Sequence, residues 1–313
     1  MIVFSIVIPA KNEEKNIDRC LASILRVDWD PCGFEIIVVD NGSADNTVSI
    51  AKEKGAHVFI KPEATISGLR NFGASKANGQ IIAFLDADCA VTPGWLKAAS
   101  QYLGKDDVVA FGSPAILPEG ATWVQSAWFN VRGKPTQIVE VEWLESANLL
   151  VKKDVFFSVG GFDESLVTCE DYVLTQKLKQ YGRIISDWRV AAIHYREPST
   201  VHEFFKKESW RSKSNYVGLF SRKVSIKELP SLIFPLLYIV FSAALCVGFS
   251  ICIIRPSFMV CWLVALLLMF WQIPFFLYSL KKNRSGKIST AIQLIILLNV
   301  YFFARGLSVL KRS

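Results

Sequence analysis

The sequence has no glycine-rich dinucleotide fingerprint after its first hydrophobic run and no phosphate-binding P-loop. A nucleotide, if bound, must therefore be read by other groups. The seven cysteines, at 20, 32, 89, 169, 246, 252 and 261, form no CxxC pair and show no metal-ligand spacing. Zinc modules are set aside, and reduced structural thiols are expected. No leader-like segment precedes the first hydrophobic run, Ile2–Ile8. Charge is missing from Leu232–Ile254 and from Phe258–Leu280, and Ile288–Leu310 holds only Arg305. A soluble domain rarely has three successive helices apolar on every face. At about 1.5 Å per residue, each of these runs can cross a hydrocarbon core of about 30 Å, and the third, with Arg305-Gly306 inside it, is readable either as a span or as an interfacial or re-entrant helix.

Charge is plentiful elsewhere. The 313 residues carry 35 Lys and Arg against 28 Asp and Glu, a net charge of +7. Lys206, Lys207, Arg211, Lys213, Arg222, Lys223 and Lys227 crowd the approach to the first apolar run, and Lys281, Lys282, Arg284 and Lys287 fill the loop before the third. The loop between the first two runs holds only Arg255. The positive-inside rule then puts the first two hundred residues and the Lys281–Lys287 loop in the cytoplasm, with the chain held at an inner or plasma membrane. Basic clusters beside spans also attract anionic lipid headgroups, so membrane lipids are expected partners and nucleic acid is not. Val201–Phe220 mixes Phe204, Phe205 and Trp210 with lysines, which suggests an amphipathic helix on the membrane surface. The expected division is 1–200 for an α/β domain, 201–229 for a basic juxtamembrane segment and 230–313 for spans at about 232–254, 258–280 and 288–310.

Within 1–200, short hydrophobic runs alternate with helical patterns, which predicts a mostly parallel sheet with right-handed crossovers. The predicted strands are Phe4–Ala10, Glu35–Asp40, His57–Ile60, Ile81–Leu85 and Val108–Phe111. Asn12 is expected to cap a helix with Glu13 and Glu14 in its first turn. Further helices are expected over Ser67–Ala77, Pro93–Leu103, Lys152–Val159 and Asp171–Tyr181. Two strands end in acids: Asp40, and the pair Asp86 and Asp88. Carboxylates at i and i+2 leave a strand on one side, so Asp86 and Asp88 are expected at one site at the sheet's carboxyl end. A hard cation such as Mg²⁺ or Mn²⁺ suits such a pair. Taken alone, an Asp-x-Asp is equally a solvated turn. Glu13 in a first turn, and Glu170 with Asp171 in another, suit a helix dipole in any protein.

The ensemble is more specific than its parts. Ser5-Ile6-Val7-Ile8-Pro9-Ala10-Lys11-Asn12-Glu13-Glu14, Val38-Val39-Asp40-Asn41-Gly42-Ser43, Asp86-Ala87-Asp88, Gly160-Gly161-Phe162-Asp163-Glu164 and Glu170-Asp171 occur in that order. Together they resemble the family-2 glycosyltransferases of the GT-A fold, a Rossmann-like α/β domain, over roughly residues 3–195.

The resemblance implies a nucleotide-sugar donor. Asp40 matches the carboxylate that holds the base, and Pro9, Ala10, Lys11 and Glu13 match the loop around base and ribose. Lys11 replaces an aromatic residue found in many relatives. Arg70 matches a residue that reaches the nucleotide or its phosphates. Asp86, with Ala87 beside it, looks like the ribose- and metal-side acid, and Asp88 like the direct metal ligand. His194 matches a third metal or diphosphate ligand. Asn148 matches a segment under the donor sugar and acceptor. Asp171, with Glu170 beside it, matches the catalytic base of an inverting, hexosyltransferase-like reaction. The Gln-x-x-Arg-Trp signature of processive synthases is absent, which favours transfer of one sugar per encounter. The membrane anchor points to a lipid-linked acceptor in cell-envelope or polysaccharide assembly. A polyprenyl-phosphate sugar synthase is the near alternative. A transporter with a nucleotide-sugar-sensing domain is the distant one, and polar groups for transport are scarce in the apolar runs.

Overall fold

The computed structural model describes residues 2–132, 136–217, 229–254, 258–283 and 286–310. Of the basic residues flanking the apolar runs, Arg222, Lys223, Lys227, Arg255 and Arg284 lie outside the described residues. The chain divides into two compact units, Met1–Glu119 with Lys134–Glu197, and Gly120–Gly133 with Pro198–Ser313.

The first unit is built on strands β1 (Phe4–Ala10), β2 (Phe34–Asp40), β3 (His57–Ile60), β4 (Ile81–Leu85), β5 (Cys89–Val91), β6 (Val108–Gly112), β7 (Ile138–Glu140), β8 (Asn148–Lys152), β9 (Arg183–Asp187) and β10 (Ala192–His194). Eight of them form one sheet in the order β3-β2-β1-β4-β8-β6-β9-β7, while β5 and β10 pair separately. β1 runs parallel to β2 and to β4, β2 parallel to β3, and β6 parallel to β9. Strand β8 is inserted antiparallel between β4 and β6. The residues of β8 were expected only to precede a helix. They form a strand because Leu149, Leu150 and Val151 are all buried, one side chain or the next facing each side of the sheet.

Helices α1 (Ile17–Ile24), α2 (Thr47–Glu53), α3 (Ile66–Ser75), α4 (Trp95–Ser100), α6 (Lys153–Ser158) and α7 (Glu170–Leu178) cover the sheet, while α5 (Trp123–Arg132) belongs to the second unit. One core layer joins β1 and β4 to α1 and α4 through Ile6, Ile8, Leu21, Ile24, Trp95 and Leu96. The other joins Val7, Phe84 and Val109 to α3, α6 and α7. There Phe84 meets Phe156 and Phe162 with ring centroids 5.2 and 5.0 Å apart.

The first helix begins later than expected. Asn12 sits at φ 53°, a left-handed conformation that ends helical continuity. The backbone N–H groups of Asn12, Glu13 and Glu14 donate instead to Ser43 Oγ, Thr47 Oγ1 and Asp45 Oδ2. Residues 11–16 therefore dock as a loop on the next strand's turn, and α1 starts at Ile17 with Asn16 at its N-cap position.

The second unit holds α5, α8 (Val201–Val217), α9 (Leu229–Ile254), α10 (Phe258–Lys282) and α11 (Ile288–Leu310). Ile233–Ile254, Phe258–Lys282 and Ile288–Ser308 are long and apolar enough to cross a membrane. The expected amphipathic helix is present as α8, but its buried stripe is Phe204, Glu208 and Ser212 rather than a purely apolar face. Glu208 accepts hydrogen bonds from Arg305 and from Arg211, which explains how an arginine is tolerated in the third apolar run.

Candidate active site

The acidic residues after β4 have different side-chain partners. The strand ends at Leu85, and the Cys89 N–H donates to the Asp86 carbonyl at 3.0 Å, closing a turn. Period-two alternation holds only inside a strand, so past Leu85 it no longer sets the direction of these two side chains. Asp86 turns to Arg70, and Asp88 turns to His194.

Arg70 leaves the middle of α3 with its side chain only 4% exposed. Its two terminal nitrogens fork, one to Asp86 Oδ1 at 2.8 Å and the other to Glu170 Oε1 at 3.0 Å. Burial alone would lower the guanidinium's pKa, but Asp86 and Glu170 outweigh it and hold the pKa above its ordinary value. The neighbouring Asn71 binds the Phe162 backbone twice, donating to its carbonyl and accepting from its N–H, each at 2.9 Å. This pins the Gly160–Glu164 loop to α3. Gly161 needs its freedom here: its φ is 68°, and a Cβ would lie 2.7 Å from Asn71 Oδ1.

Helix α7 follows that loop. Its N-cap, Cys169, has φ 67°, a costly conformation for a non-glycine residue placed directly before two carboxylates. Asp171 accepts the Tyr172 N–H at 2.7 Å. Burial, then the charges of Glu170 and Glu145, push the Asp171 carboxyl up to about 6, against the opposing pull of Arg70. A carboxylate with its pKa near neutrality is a poised proton acceptor.

Antiparallel pairing of β10 with β5 sets His194 opposite Cys89. Its Nε2 lies 3.2 Å from Asp88 Oδ1, and its Nδ1 lies 3.2 Å from Glu197 Oε1. Burial opposes the charged ring, but these two carboxylates outweigh it and push His194 up to about 10. Asp88, Cys89 and His194 bring three possible ligand atoms within 4.8 Å of one another. Burial drives the Cys89 thiol well above its ordinary pKa, with Asp86 and Asp88 adding to the effect, so it stays protonated and ligates poorly. A carboxylate and an imidazole, the latter oriented by a second carboxylate, fit a divalent cation. Asp86 stands outside this cluster.

At the same carboxyl edge of the sheet, two strands away from β4, Asp40 is 1% exposed. Its Oδ1 accepts from the Gly42 and Ser43 N–H groups at 2.9 and 2.8 Å, and its Oδ2 from the Ser43 hydroxyl. Pro9 and Ala10 end β1 buried, Ala87 is buried in the turn after β4, and Lys11 donates to Asn41 Oδ1 at 2.9 Å. Glu13 accepts from Asn16 and Arg196. Asn148 is not turned to a ligand. It crosses the interior, accepting from Trp95 Nε1 and donating to the Val190 and Ser113 carbonyls. Glu197, Glu145 and Arg196 also stand at the site, outside the motifs that mark it in the sequence. Glu197 had a signal, a His-x-x-Glu spacing just past a strand end.

The model of "Glycosyl transferase family 2" matches residues 5–159. Over these residues the chain belongs to glycosyltransferase family 2. Among family-2 relatives, the glycosyltransferase AglE of Haloferax volcanii is 31% identical over 188 residues, covering 57% of this chain and 62% of that protein. The poly(ribitol-phosphate) beta-N-acetylglucosaminyltransferase TarS of Staphylococcus aureus is 25% identical, covering 62% of this chain and 35% of that protein. The chain thus spans less than two thirds of the length of these relatives. Of solved structures, mannosyltransferase PcManGT from Pyrobaculum calidifontis, in complex with GDP-Man and Mn²⁺, aligns over 96% of this chain and 87% of that chain at a TM-score of 0.61 and 16% identity. Staphylococcus aureus TarS 1–349 in complex with UDP-GlcNAc aligns over 97% of this chain and 90% of its own at 0.53 and 18%. At such identities the likeness concerns the fold, which is GT-A.

Proposed function

We propose that this family-2 protein is an inverting glycosyltransferase. It moves a sugar from a nucleotide-diphosphate donor to a membrane-held, lipid-linked acceptor, one sugar per encounter, in envelope or polysaccharide glycan assembly. The observation that carries this reading is the fork of Arg70. It ties the donor-side acid Asp86 to Glu170, immediately beside Asp171. The named donors of the solved relatives, GDP-Man and UDP-GlcNAc, support the donor class.

In this mechanism the β1 end (Pro9, Ala10, Lys11, Glu13) and Asp40 receive the nucleoside. Arg70 and Asp86 face the ribose and diphosphate. Asp88 and His194 would hold a divalent cation, Mg²⁺ or Mn²⁺, with Glu197 orienting the imidazole. When bound, the cation supplies Lewis-acid neutralisation of the leaving diphosphate. Ionised Asp171 takes the proton of an acceptor hydroxyl. The hydroxyl oxygen forms the new bond to the anomeric carbon as the bond to the diphosphate breaks, and the anomeric centre inverts. Glu170 keeps the Arg70 fork in place beside the base. The apolar helices hold the unit at a membrane, with the catalytic unit on the cytoplasmic side.

The test is a donor screen on purified full-length protein with Mg²⁺ or Mn²⁺, scoring nucleoside diphosphate release with and without lipid extract. Release that requires both the lipid extract and the cation is expected, and its loss in Asp171→Asn. A product that keeps the donor's anomeric configuration would overturn the inverting reading. Unchanged turnover in excess chelator would overturn the metal assignment.

A further inference from the structure

Three helices are long enough to cross a membrane, yet their packing treats them differently. Helices α9 and α10 form an antiparallel hairpin along their length. Tyr238 and Phe241 meet Trp271, with centroids 5.7 and 4.2 Å apart, and further along a Cβ on Gly248 would lie 2.9 Å from Val264. Helix α11 meets that hairpin at one end. Asn299 bonds Tyr238 and Gln272, at 2.8 and 3.0 Å. Phe302 meets Phe234, Tyr238 and Phe275. A Cβ on Gly306 would strike the Pro235 carbonyl at 2.5 Å and the Ile239 side chain at 2.3 Å. These partners lie in the first half of α9 and the last half of α10, the same end of an antiparallel pair. The start of α11 is tied to that end too, since only residues 283–287 separate it from α10.

The partner of α11 along its length is α8. Phe204 clusters with Leu294 and Leu297, Glu208 binds Arg305, and Ser212 bonds Ser308, so the two helices run side by side. Helix α5 joins them through Trp128, which meets Phe204 and Tyr301 with centroids 4.7 and 5.3 Å apart. Helix α8 carries exposed His202, Glu203 and Lys206. Ionised side chains are expensive in hydrocarbon, so α8 cannot accompany a spanning α11 through a bilayer. On α11, Ile288, Ile292, Ile296 and Phe303 remain exposed, at 79, 53, 44 and 41%. The three isoleucines are spaced by four and form one stripe, while Ala291, Leu294, Leu297, Leu298 and Ala304 are buried. On α8, Trp210 is half exposed, as suits a headgroup boundary.

We infer that α8 and α11 lie together in the membrane interface, with the isoleucine stripe of α11 dipped into lipid, and that only α9 and α10 cross. Charge placement agrees. Lys311 and Arg312 follow α11, and Lys281, Lys282 and Lys287 precede it. Three crossings would put these two basic groups on opposite sides of the membrane. An interfacial α11 puts both on the side of the α8 lysines, as the positive-inside rule requires. The inference rests on helix packing and charge, not on the proposed activity.

The test is sidedness mapping of the full chain in sealed membrane vesicles. One reporter is fused after Ser313, one is inserted in the loop before α11, and one in the loop between α9 and α10 calibrates the far side. The first two are expected on one side and the third on the other. A reporter after Ser313 that sides with the α9–α10 loop would overturn the inference. Protease digestion of a short epitope tag at the same C-terminal position gives a second reading, should a bulky reporter perturb insertion. A tag protected under conditions that cleave the loop before α11 would equally overturn it.

Discussion

Asp171→Asn offers a test in which stability and activity move in opposite directions. The carboxyl is pushed from its ordinary 3.8 up to about 6, by burial first and then by Glu170. A raised carboxyl pKa means that the folded state binds the proton more tightly than the unfolded one. The stability that this proton confers is fully present below about 3.8 and is lost as pH rises through about 6. Asparagine stays neutral and can still accept the Tyr172 N–H. Near pH 4 and below, the two proteins should therefore differ little in stability. Above about pH 7 the variant should be the more stable. At ~1.4 kcal/mol per pH unit, the gap between 3.8 and 6 sets an upper limit of about 3 kcal/mol. About half of that should remain at pH 5. Pulse proteolysis across urea, without donor or cation and in detergent, reads the folded fraction of each protein at each pH. Transfer should meanwhile fall by about 10²–10⁴-fold, the usual worth of a general base. A variant no more stable at pH 7.5, or a difference that ignores pH, would refute the claim that Asp171 is held as a buried, repelled charge. Transfer within tenfold of the parent would refute its role as base.

Arg70→Met leaves Glu170 and Asp86 facing each other without their cation. Breaking a buried pair this way costs about 3–5 kcal/mol, and the partial exposure of Asp86 points to the lower end; Arg70→Lys should recover part of the loss because it keeps the charge without the fork. The acidic limb of the pH–rate profile should move upward in Arg70→Met, since Arg70 now draws the Asp171 carboxyl down. A loss below about 1 kcal/mol with an unmoved limb would count against the fork. For the cation site, Asp88→Asn and His194→Gln should each abolish Mn²⁺-dependent donor binding by calorimetry while leaving the fold intact. Glu197→Gln, which only loosens the imidazole's support, should cost about 10–100-fold in cation affinity. Undiminished binding in all three would place the cation elsewhere. Gly161→Ala must hold a Cβ at positive φ and push against Asn71. We expect a loss of about 1–3 kcal/mol and poorer donor turnover, and a neutral outcome by urea titration would show that the loop is not pinned to α3.

Much of the fold was legible because period and burial agree. Strands Phe4–Ala10 and Ile81–Leu85 are buried at every position, and the sequence shows the second as an unbroken apolar run and the first as one interrupted only by Ser5. The apolar helices were legible for the same reason. What the sequence hid lies where long-range contacts override local preference. Asn12 reads as a cap, but Ser43, Asp45 and Thr47 supply partners for the loop from 31 to 34 residues away. Asn148 reads as a ligand contact or a cap, and only the assembled sheet brings Trp95, Ser113 and Val190 to its amide. Cys89 carries no ligand spacing in the sequence, because its companion His194 arrives through the β5–β10 pairing. At the site itself the residue types were legible but their partners were not. Nothing in Asp-Ala-Asp says that a turn will part the two acids.

That parting has an electrostatic consequence for the proposed chemistry. Arg70 faces Asp86, Glu170 and, less directly, Asp171, while His194 faces Asp88 and Glu197. Five carboxylates thus stand against two cationic groups. Burial first and then the neighbouring acids push the Asp171 carboxyl up to about 6, while Asp88 and Glu197 outweigh burial and push His194 up to about 10. A nucleotide diphosphate brings further negative charge to the same place. With the acids ionised, Coulomb repulsion at an effective dielectric near 20 costs about 4 kcal/mol for each unit pair 4 Å apart, enough to exclude the donor. A divalent cation held by Asp88 and His194 would take the place of the imidazole proton and would supply positive charge for a diphosphate. On these grounds cation and donor should bind with strong mutual dependence. Under the proposed chemistry the surplus of carboxylates would favour metal-bound donor over the free nucleotide sugar.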